Sequence, residues 1–420
     1  MEYKKQQLHI RELAKRLKEL AESPDNMRKR QNWADHNELK GNVEPLLWVC
    51  PDDDGAWLEL IPEDTLKCTD PDLKSLELKL RKYLYHSEHF DDDFVFEPAV
   101  YFDMPGEYTG CHYGKKDQTT AWGLKIEKKV AGKTAYHLDN FIKTPEDVER
   151  ILEHEVDFIP DYQEWKRLKD KYEDAVGGII EVQFHLPYSV LVQSHLIELV
   201  HLRGLEELLY DLYDNPEFLR KILGHMSESK ARLLDRLERN KLLFENRINI
   251  YTGSGGLGYT NDALKRPEDV RLKDMWGFAD AQEFSHVSPE MFEEFAVKFQ
   301  KAGLNRFGMG CYGCCEPMDN KYEIIFKHIE NLRRISISPW SDTKIAAEMI
   351  GSKAIYSWKP NPVIICCGFD EAGMNKMLRE TADVTRDCVT EIILKDIRTC
   401  AGTPVHIQKF INLAKKIFKK

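Results

Sequence analysis

The stretch that decides the fold is Arg306–Asn320, RFGMGCYGCCEPMDN, in which a short apolar run ends in three cysteines and a glutamate. The pattern predicts a β-strand followed by a loop. Soft thiolate sulfurs bind zinc well, and a Cys-x-x-Cys pair with an adjacent Cys and Glu offers several ligands on one loop. The stretch therefore predicts a strand whose carboxyl end opens into a metal site, with Cys314, Cys315 and Glu316 as ligands.

A regular alternation of short β-like runs and helices begins at Asp91. The predicted strands are Phe94–Phe102, Ile179–Phe184, Ile248–Tyr251, Arg306–Met309, Leu332–Ser336, Ala354–Trp358 and Val363–Cys366. Repeated strand, loop, helix order implies a parallel sheet with right-handed crossovers. Over about 330 residues, an eight-stranded barrel accommodates this order better than an open sheet. We therefore predict an α/β fold, with a (β/α)8 TIM barrel over residues 91–420.

The first ninety residues have a different pattern. An amphipathic helix is predicted from Glu2 to Leu20, and it stops at Pro24. A piece over Pro45–Cys50 is expected to be extended, and a second helix is predicted over Leu73–Tyr85. Because none of this repeats, we predict that residues 1–90 form an N-terminal helical extension of the barrel.

A glycine-rich loop offers an alternative fold. Gly253–Gly258, GSGGLG, follows a predicted strand and has the G-x-G-x-x-G spacing of a dinucleotide-binding loop in a doubly wound sheet. A lone match of this kind is weak, and the residues after it, YTNDALKRPED, lack the usual helix pattern. We interpret it as a loop at the top of the barrel.

A second cysteine pair, Cys366 and Cys367, ends another predicted strand. Parallel barrels bring the carboxyl ends of all strands to one face, so this pair is expected near the first cluster as further zinc ligands. Two other interpretations stay open. Free cysteines are often simply buried, and a vicinal pair can be redox-active.

Three residues are the candidates for acid, base or ligand chemistry. His185 directly follows a predicted strand, His286 lies ahead of a helix next to Glu283, and Glu316 adjoins the cysteines. An ordinary hydrogen-bonded histidine is the competing interpretation for each histidine. Three aromatic residues are predicted to form pocket or cofactor-binding walls: Tyr188, Tyr312 and Trp340.

Composition excludes several classes of function. The net charge of −11 argues against nucleic-acid binding, which needs a basic face. No apolar run is long enough for a membrane helix. The charged start, MEYKKQQLHI, lacks the apolar core of a secretion signal, which predicts a cytoplasmic protein.

Several motifs together resemble the uroporphyrinogen decarboxylase superfamily, in particular its cobalamin-dependent methyltransferase branch. They are Arg203–Glu207 with Asp211–Glu217, Met275–Asp280 with Val287–Phe292, Tyr312–Glu316, Leu332–Ser336, and the segment that ends at Cys367-Gly368. The resemblance covers roughly residues 90 to 400. It implies a (β/α) barrel, zinc, and methyl transfer between a small molecule and cobalamin.

Two departures from the family pattern shape the expected function. The Arg-Gln-Ala-Gly-Arg motif of the porphyrinogen decarboxylases is missing, which argues against that reaction. The thiol-methylating members carry His-x-Cys, whereas this chain has Tyr312-Gly313-Cys314, so Glu316 or Cys315 would have to replace the histidine. This difference favours a methyl ether, such as a methoxylated aromatic, slightly over a thiol.

The resemblance also sets expectations for partners. The chain shows no cobalamin-binding domain of its own, so the corrinoid is expected on a separate protein, and a homodimer is left open. Zinc would act as a Lewis acid on the thiol or ether. Two readings outside methyl transfer remain: a decarboxylase of another substrate, and a barrel that only binds a ligand or partner.

Overall fold

The computed structural model describes residues 2–40, 43–111, 118–126, 128–131, 135–138, 140–261 and 269–419. Its main sheet has six parallel strands. In spatial order they are β1 (Leu46–Pro51), β14 (Val389–Ile397), β13 (Ile355–Trp358), β12 (Leu332–Ile337), β11 (Met309–Tyr312) and β10 (Trp276–Ala279). A separate parallel pair joins β2 (Ala99–Asp103) to β9 (Glu181–His185). The predicted α/β class is confirmed, but the described residues do not form one continuous eight-stranded sheet.

Short antiparallel pairs complete the strands. They are β3 (Gly106–Tyr108) with β8 (Phe158–Pro160), β4 (Thr120–Ala121) with β5 (Leu124–Lys125), and β6 (Lys128–Ala131) with β7 (Ala135–Leu138). The helices in the first half of the chain are α1 (Tyr3–Ala21), α2 (Pro24–Asn37), α3 (Ala56–Leu60), α4 (Pro71–His89), α5 (Pro145–Glu153), α6 (Tyr162–Val176), α7 (Tyr188–Leu191), α8 (His195–Arg203) and α9 (Leu205–Asp214).

The helices of the second half cover the outer face of the main sheet. They are α10 (Pro216–Arg239), α11 (Pro289–Phe292), α12 (Lys298–Leu304), α13 (Tyr322–His328), α14 (Thr343–Ile350), α15 (Pro362–Cys366), α16 (Glu371–Val384) and α17 (Val405–Phe418). A π-helical turn, Glu293–Val297, joins α11 to α12. No helix of the described ranges is long and apolar enough to cross a membrane.

Side chains occupy the two edges of the main sheet where further strands would otherwise pair. On the β1 edge, Asp93 accepts the Leu47 N–H at 2.8 Å and Asp92 accepts the Val49 N–H at 2.8 Å. On the β10 edge, the Asn246 amide both accepts from the Trp276 N–H at 2.9 Å and donates to the Trp276 carbonyl at 2.8 Å. Buried backbone groups must be paired, so these carboxylates and this amide replace strand partners and separate the two parallel sheets.

The interior of the main sheet is polar at its centre. Arg334 from β12 and Glu391 from β14 lie 3.0 Å apart, and both side chains are almost fully buried. Glu391 also accepts the Ser357 hydroxyl, and the Ser357 carbonyl in turn accepts from the Lys359 amine at 2.9 Å. Burial lowers the pKa of Lys359 to about 7. Pairing of this kind is what allows charges to be buried at all.

Two predicted strands are wrong. Val363–Cys366 is the helix α15, because Asn361 caps its start by accepting the Val363 N–H at 2.9 Å and Pro362 occupies the first helical position. Residues 248–251 form only one bridge, from Tyr251 to Leu257. Here the glycine loop turns back, and at Gly256 (φ +98°) a Cβ would lie 2.7 Å from the Arg334 guanidinium. Whether a helix follows that loop depends on residues 262–268, which lie outside the described residues.

The N-terminal residues contribute to the main sheet. The extended piece that was predicted over Pro45–Cys50 is β1, and it pairs in parallel with β14. The first helix is confirmed as α1, which packs on α4 and α6. α1 ends at Ala21, just before the predicted stop at Pro24, and Pro24 itself begins α2 with Ser23 as the N-cap. The domain boundary at residue 90 stays a prediction.

Candidate active site

The Cys-Cys-Glu turn lies directly after β11, at the carboxyl ends of the parallel strands. Gly313 makes the turn with φ +88°, and a Cβ there would lie 2.4 Å from the Met318 methyl group. The Glu316 carboxylate accepts the Cys314 N–H at 2.9 Å and the Ala281 N–H at 2.9 Å. Glu316 is 2% exposed, so this carboxyl group fixes the turn after β11 against the turn after β10.

The two thiols of this turn face a lysine from β14. The Sγ atoms of Cys314 and Cys315 are 3.5 Å apart, and the Lys395 amine is 3.6 Å from the Cys314 sulfur. Asp396 approaches the Cys315 sulfur at 3.8 Å. The hydrogen bond between the thiols raises the pKa of Cys314 and lowers that of Cys315. The arrangement holds one proton on Cys314 while favouring a thiolate at Cys315.

Three carboxyl groups lie beside the thiols. Burial, together with the charges of Cys314 and Glu316, raises the pKa of Asp280 well above its ordinary value. Burial and the Asp280 charge raise the pKa of Glu283 to about 8, and burial also raises the pKa of Glu316. Carboxyl groups that share a water-poor site cannot all ionise. At neutral pH this cluster therefore holds protons that it can donate.

A cavity of about 400 Å³ opens next to this cluster. Its walls include Tyr188, Tyr251 and Phe278, and the Tyr188 hydroxyl donates to the Gly253 carbonyl at 3.1 Å. The pKa of Tyr188 is raised by burial first and then by the charges of Tyr251, Asp280 and Cys314. The cavity wall and the acid and thiol groups therefore lie side by side, which is the setting of a binding or catalytic site.

The predicted histidines lie in different surroundings. His185 ends β9 and lines the cavity. Its ring stacks on Phe244 with a centroid distance of 5.0 Å, and an Asp103 carboxylate oxygen lies 3.4 Å from its Nδ1 atom. Burial lowers the pKa of His185. His286 is exposed on the loop before α11. The structure thus brings His185 to the cavity, and it places His286 on the surface.

The three aromatic residues that were predicted to form pocket walls also lie in different surroundings. Tyr188 lines the cavity. Tyr312 is 1% exposed, donates to the Gln300 side chain at 2.6 Å and contacts Phe292 edge-on, so it packs between the sheet and its helices. Trp340 is 68% exposed on the loop after β12. The cofactor-binding roles of all three stay predictions.

The second cysteine pair has its own neighbours. Cys366 is buried at the end of α15, and His406 contacts its carbonyl at 3.3 Å. Burial, and then the nearby Cys400, raise the pKa of Cys366 to about 12. Cys367 caps the helix and is exposed. None of the contacts described for this pair involves Cys314 or Cys315.

The groups of the Cys-Cys-Glu turn suit a zinc ion only in part. Two sulfurs 3.5 Å apart suit two positions around an ion with Zn–S bonds of about 2.3 Å. Both Glu316 oxygens, however, accept backbone N–H groups, and the Lys395 amine occupies one side of Cys314. Among the described residues, no three His, Cys, Asp or Glu side chains are arranged to hold a metal. The residues as placed do not complete a zinc site.

Sequence reasoning missed two of the groups at this site. Asp280 directly follows the run Trp276–Ala279, a strand that was noted only as part of a family motif. Lys395 lies on β14, whose apolar run Ile392–Leu394 was not recognised as a strand. In both cases the available signal was a charged residue at the carboxyl end of a buried β run.

Comparisons with known proteins find similarity only among solved structures. No family model and no curated protein matches the chain. Among solved structures, it is similar to a chain named "methyltransferase from Methanosarcina mazei", with 9% sequence identity, coverage of 91% of this chain and 98% of that one, and a TM-score of 0.49. Similarity at this level assigns neither a family nor an activity to the chain.

Proposed function

We propose that the chain is a methyltransferase that moves a methyl group between a small molecule and a corrinoid carried by a separate protein. The observation that carries this proposal is the meeting of two thiols, a lysine and three carboxyl groups with raised pKa values beside a cavity, at the carboxyl ends of parallel strands. The sequence motifs that resemble the cobalamin-dependent branch point to the same class of reaction.

Transfer from a methyl ether requires a proton donor. When the bond between the methyl carbon and oxygen breaks, the oxygen keeps the electron pair and leaves as an alkoxide or phenoxide unless it gains a proton. Asp280 is the group we assign as donor, because its pKa is raised well above the ordinary value and because its charge acts on Tyr188, which lines the cavity. Glu283, with a pKa of about 8, can resupply the proton. A bound, reduced corrinoid would supply the nucleophile that takes the methyl group.

A thiol substrate is the second form of the same proposal. Lys395 lies close enough to the thiols to stabilise a negatively charged sulfur at this position. Zinc also belongs to the proposal. Cys314 and Cys315 would hold it by two sulfurs, and Glu316, Cys366 and Cys367 remain the predicted further ligands. Since the described residues supply no third ligand in place, no step is assigned to the metal.

The barrel forms a further part of the proposal. The six-stranded sheet and the β2–β9 pair together contain eight parallel strands. We interpret them as a (β/α)8 barrel opened at two seams, where Asp92, Asp93 and Asn246 pair with the exposed strand edges. An opened seam gives a large ligand access to the carboxyl ends of the strands, where barrel enzymes hold their reacting groups.

The experiment is a methyl-transfer assay with the full chain. Reduced cobalamin and 2-methoxyphenol are mixed with the enzyme, and methylcobalamin is followed by its visible absorption. We expect turnover that depends on cobalamin and falls by about 100-fold or more in Asp280→Asn, the size of a lost general acid. Glu290→Gln, an exposed position on α11, is the matched control and should be unchanged. Release of carbon dioxide from a carboxylated substrate without cobalamin would replace this proposal with the decarboxylase reading.

A further inference from the structure

A second cavity of about 420 Å³ adjoins the first and is not used by the mechanism above. The two cavities share Asp53, His185, Ile250 and Tyr251 in their walls. Lys395 and Cys314 are among the charges that act on the Tyr251 hydroxyl, so the shared wall at Tyr251 is the part of the second cavity that lies toward the thiol cluster.

One face of α4 forms a wall of this cavity. Ser75, Leu78, Lys79 and Lys82 all line it, and they are spaced at i, i+3, i+4 and i+7. Residues with this spacing lie on one side of a helix. The helix therefore presents two ammonium groups to the same enclosed space.

The two lysines differ in their partners. Lys82 lies 2.6 Å from Asp53, which is itself mostly exposed. Lys79 is half-buried and donates to the Tyr101 carbonyl, and within the described part of the chain no carboxylate lies within 4.0 Å of its amine. Burial lowers the pKa of Lys79, the charges of Asp53 and Asp103 act against this, and the charge of Lys82 lowers the pKa further. The Lys79 amine also lies 4.9 Å from the centroid of the Phe102 ring. Because no carboxylate of the described residues is within ion-pair distance, burying this ammonium is costly, and an anion in the cavity would offset that cost.

Aromatic rings form much of the remaining wall. The ring centroid of Trp48 lies 5.8 Å from that of Phe94 and 5.7 Å from that of Tyr251. The Tyr83 ring stacks on Phe94 with a centroid distance of 6.1 Å. Trp57 lines the cavity too, and all five rings come from different parts of the chain. Flat apolar surfaces of this kind bind a flat apolar ligand by stacking and edge contacts. The volume lies in the range of small-molecule sites, which is about 300 to 1,000 Å³.

We propose that this cavity binds an aromatic carboxylate, with the ring among Trp48, Trp57 and Phe94 and the carboxylate at the Lys79 amine. The inference rests on the proposed function in one respect: it gives the substrate of methyl transfer an acidic group that is held away from the reacting end. The carboxylate fixes the orientation, so that a substituent on the far side of the ring points past Tyr251 toward the thiol and acid cluster.

The test uses benzoate as the probe and the full-length chain without corrinoid or zinc. Binding is followed by tryptophan fluorescence, since Trp48 and Trp57 line the cavity, and is repeated by calorimetry. We expect saturable benzoate binding, and binding of neutral benzamide that is weaker by roughly ten- to hundredfold, the range for a lost charged hydrogen bond. Acetate, which has the charge without the ring, should bind far more weakly than benzoate.

Variants locate the site. Lys79→Met keeps the length of the side chain and removes its charge, so it should bring benzoate affinity down to that of benzamide. Lys74→Met is the matched control on the same helix, because Lys74 pairs with Glu63 at the surface and does not line the cavity. If Lys79→Met does not fold, the comparison of benzoate, benzamide and acetate on the unmodified protein still decides the question.

Two results would overturn the proposal. One is equal affinity for benzoate and benzamide, and the other is benzoate binding that Lys79→Met leaves unchanged. Because the assay contains no corrinoid and measures no methyl transfer, its failure would leave the proposed reaction standing. Failure of methyl transfer would likewise leave a measured benzoate site intact.

Discussion

Replacing Glu283 by Gln should stabilise the protein in a pH-dependent way. The pKa of Glu283 rises from an ordinary 4.5 to about 8 on folding, chiefly because the group is buried and then because Asp280 is near. Below pH 4.5 the carboxyl group is protonated in both states. As the pH rises toward 8, the unfolded chain ionises first, so folding stability that is present at low pH is progressively lost. Gln carries no such titration.

The magnitude follows from the two pKa values. A difference of one pH unit corresponds to about 1.4 kcal/mol, so an isolated group with this displacement would cost about 4 to 5 kcal/mol by pH 8. Glu283 is half-buried and shares its environment with two other acids. Both facts reduce the part of this free-energy cost that is due to Glu283 alone. We therefore expect Glu283→Gln to gain about 1 to 3 kcal/mol over the unmodified protein between pH 5 and pH 8.

The assay is denaturant unfolding of both proteins at pH 5, 6, 7 and 8, followed by tryptophan fluorescence. Glu290→Gln, which removes an exposed carboxyl group a few residues away, is the control and should show no pH-dependent gain. A gain for Glu283→Gln that stays the same within about 0.5 kcal/mol across this range would refute the claim that the acid cluster holds protons at neutral pH.

The remaining predictions concern reactivity, the sheet edge and the metal. Because the pKa of Cys315 is lowered while burial raises that of Cys388 to about 11, iodoacetamide at pH 7.5 should label Cys315 before Cys388, as mass spectrometry of the peptides can check; equal labelling of the two would contradict it. Asn246→Ala leaves two backbone groups of β10 unpaired and should cost about 2 to 4 kcal/mol of unfolding free energy, whereas exposed Asn412→Ala should cost little. The zinc prediction rests on two sulfurs with no third ligand in place among the described residues, and elemental analysis tests it: about one zinc per chain that is lost in Cys314→Ser would support it, and a preparation free of transition metal would exclude it.

Much of the fold could be predicted because periodicity reports burial directly. The strand that was predicted over Leu332–Ser336 is β12, whereas the strand that was predicted over Arg306–Met309 begins only at Met309, as β11. The errors have local causes. The run at Val363–Cys366 is apolar enough for a strand, but Asn361 and Pro362 set a helix start, and a five-residue apolar run cannot by itself distinguish the two.

The separation of the parallel strands into two sheets could not be predicted, because it depends on single side chains far apart in sequence. Asn246 pairs with the backbone of Trp276, and Asp93 pairs with that of Leu47. No short-range pattern indicates that an amide or a carboxylate will replace a strand. The glycine loop was interpreted as a barrel-top loop, and the structure places its Gly256 against the buried Arg334 instead.

The position of the candidate site could be predicted from the sequence, but two of its residues could not. Cys314, Cys315 and Glu316 lie after a strand of the parallel sheet, as their pattern predicted. Lys395 and Asp280 become neighbours of the thiols and of Glu316 only when β10, β11 and β14 assemble. The resemblance to the cobalamin-dependent methyltransferases stays a prediction that chemistry must test.

The most direct test of the central claim is to follow the methyl group itself. The full-length protein, reduced cobalamin and 4-methoxybenzoate with a ¹³C-labelled methoxy group are incubated together, and the products are separated and examined by NMR. The proposal predicts ¹³C in methylcobalamin and an equal amount of 4-hydroxybenzoate, both strongly reduced in Asp280→Asn. Label that stays on the methoxybenzoate, or that appears in methanol with cobalamin unmethylated, would contradict methyl transfer as the function of this site.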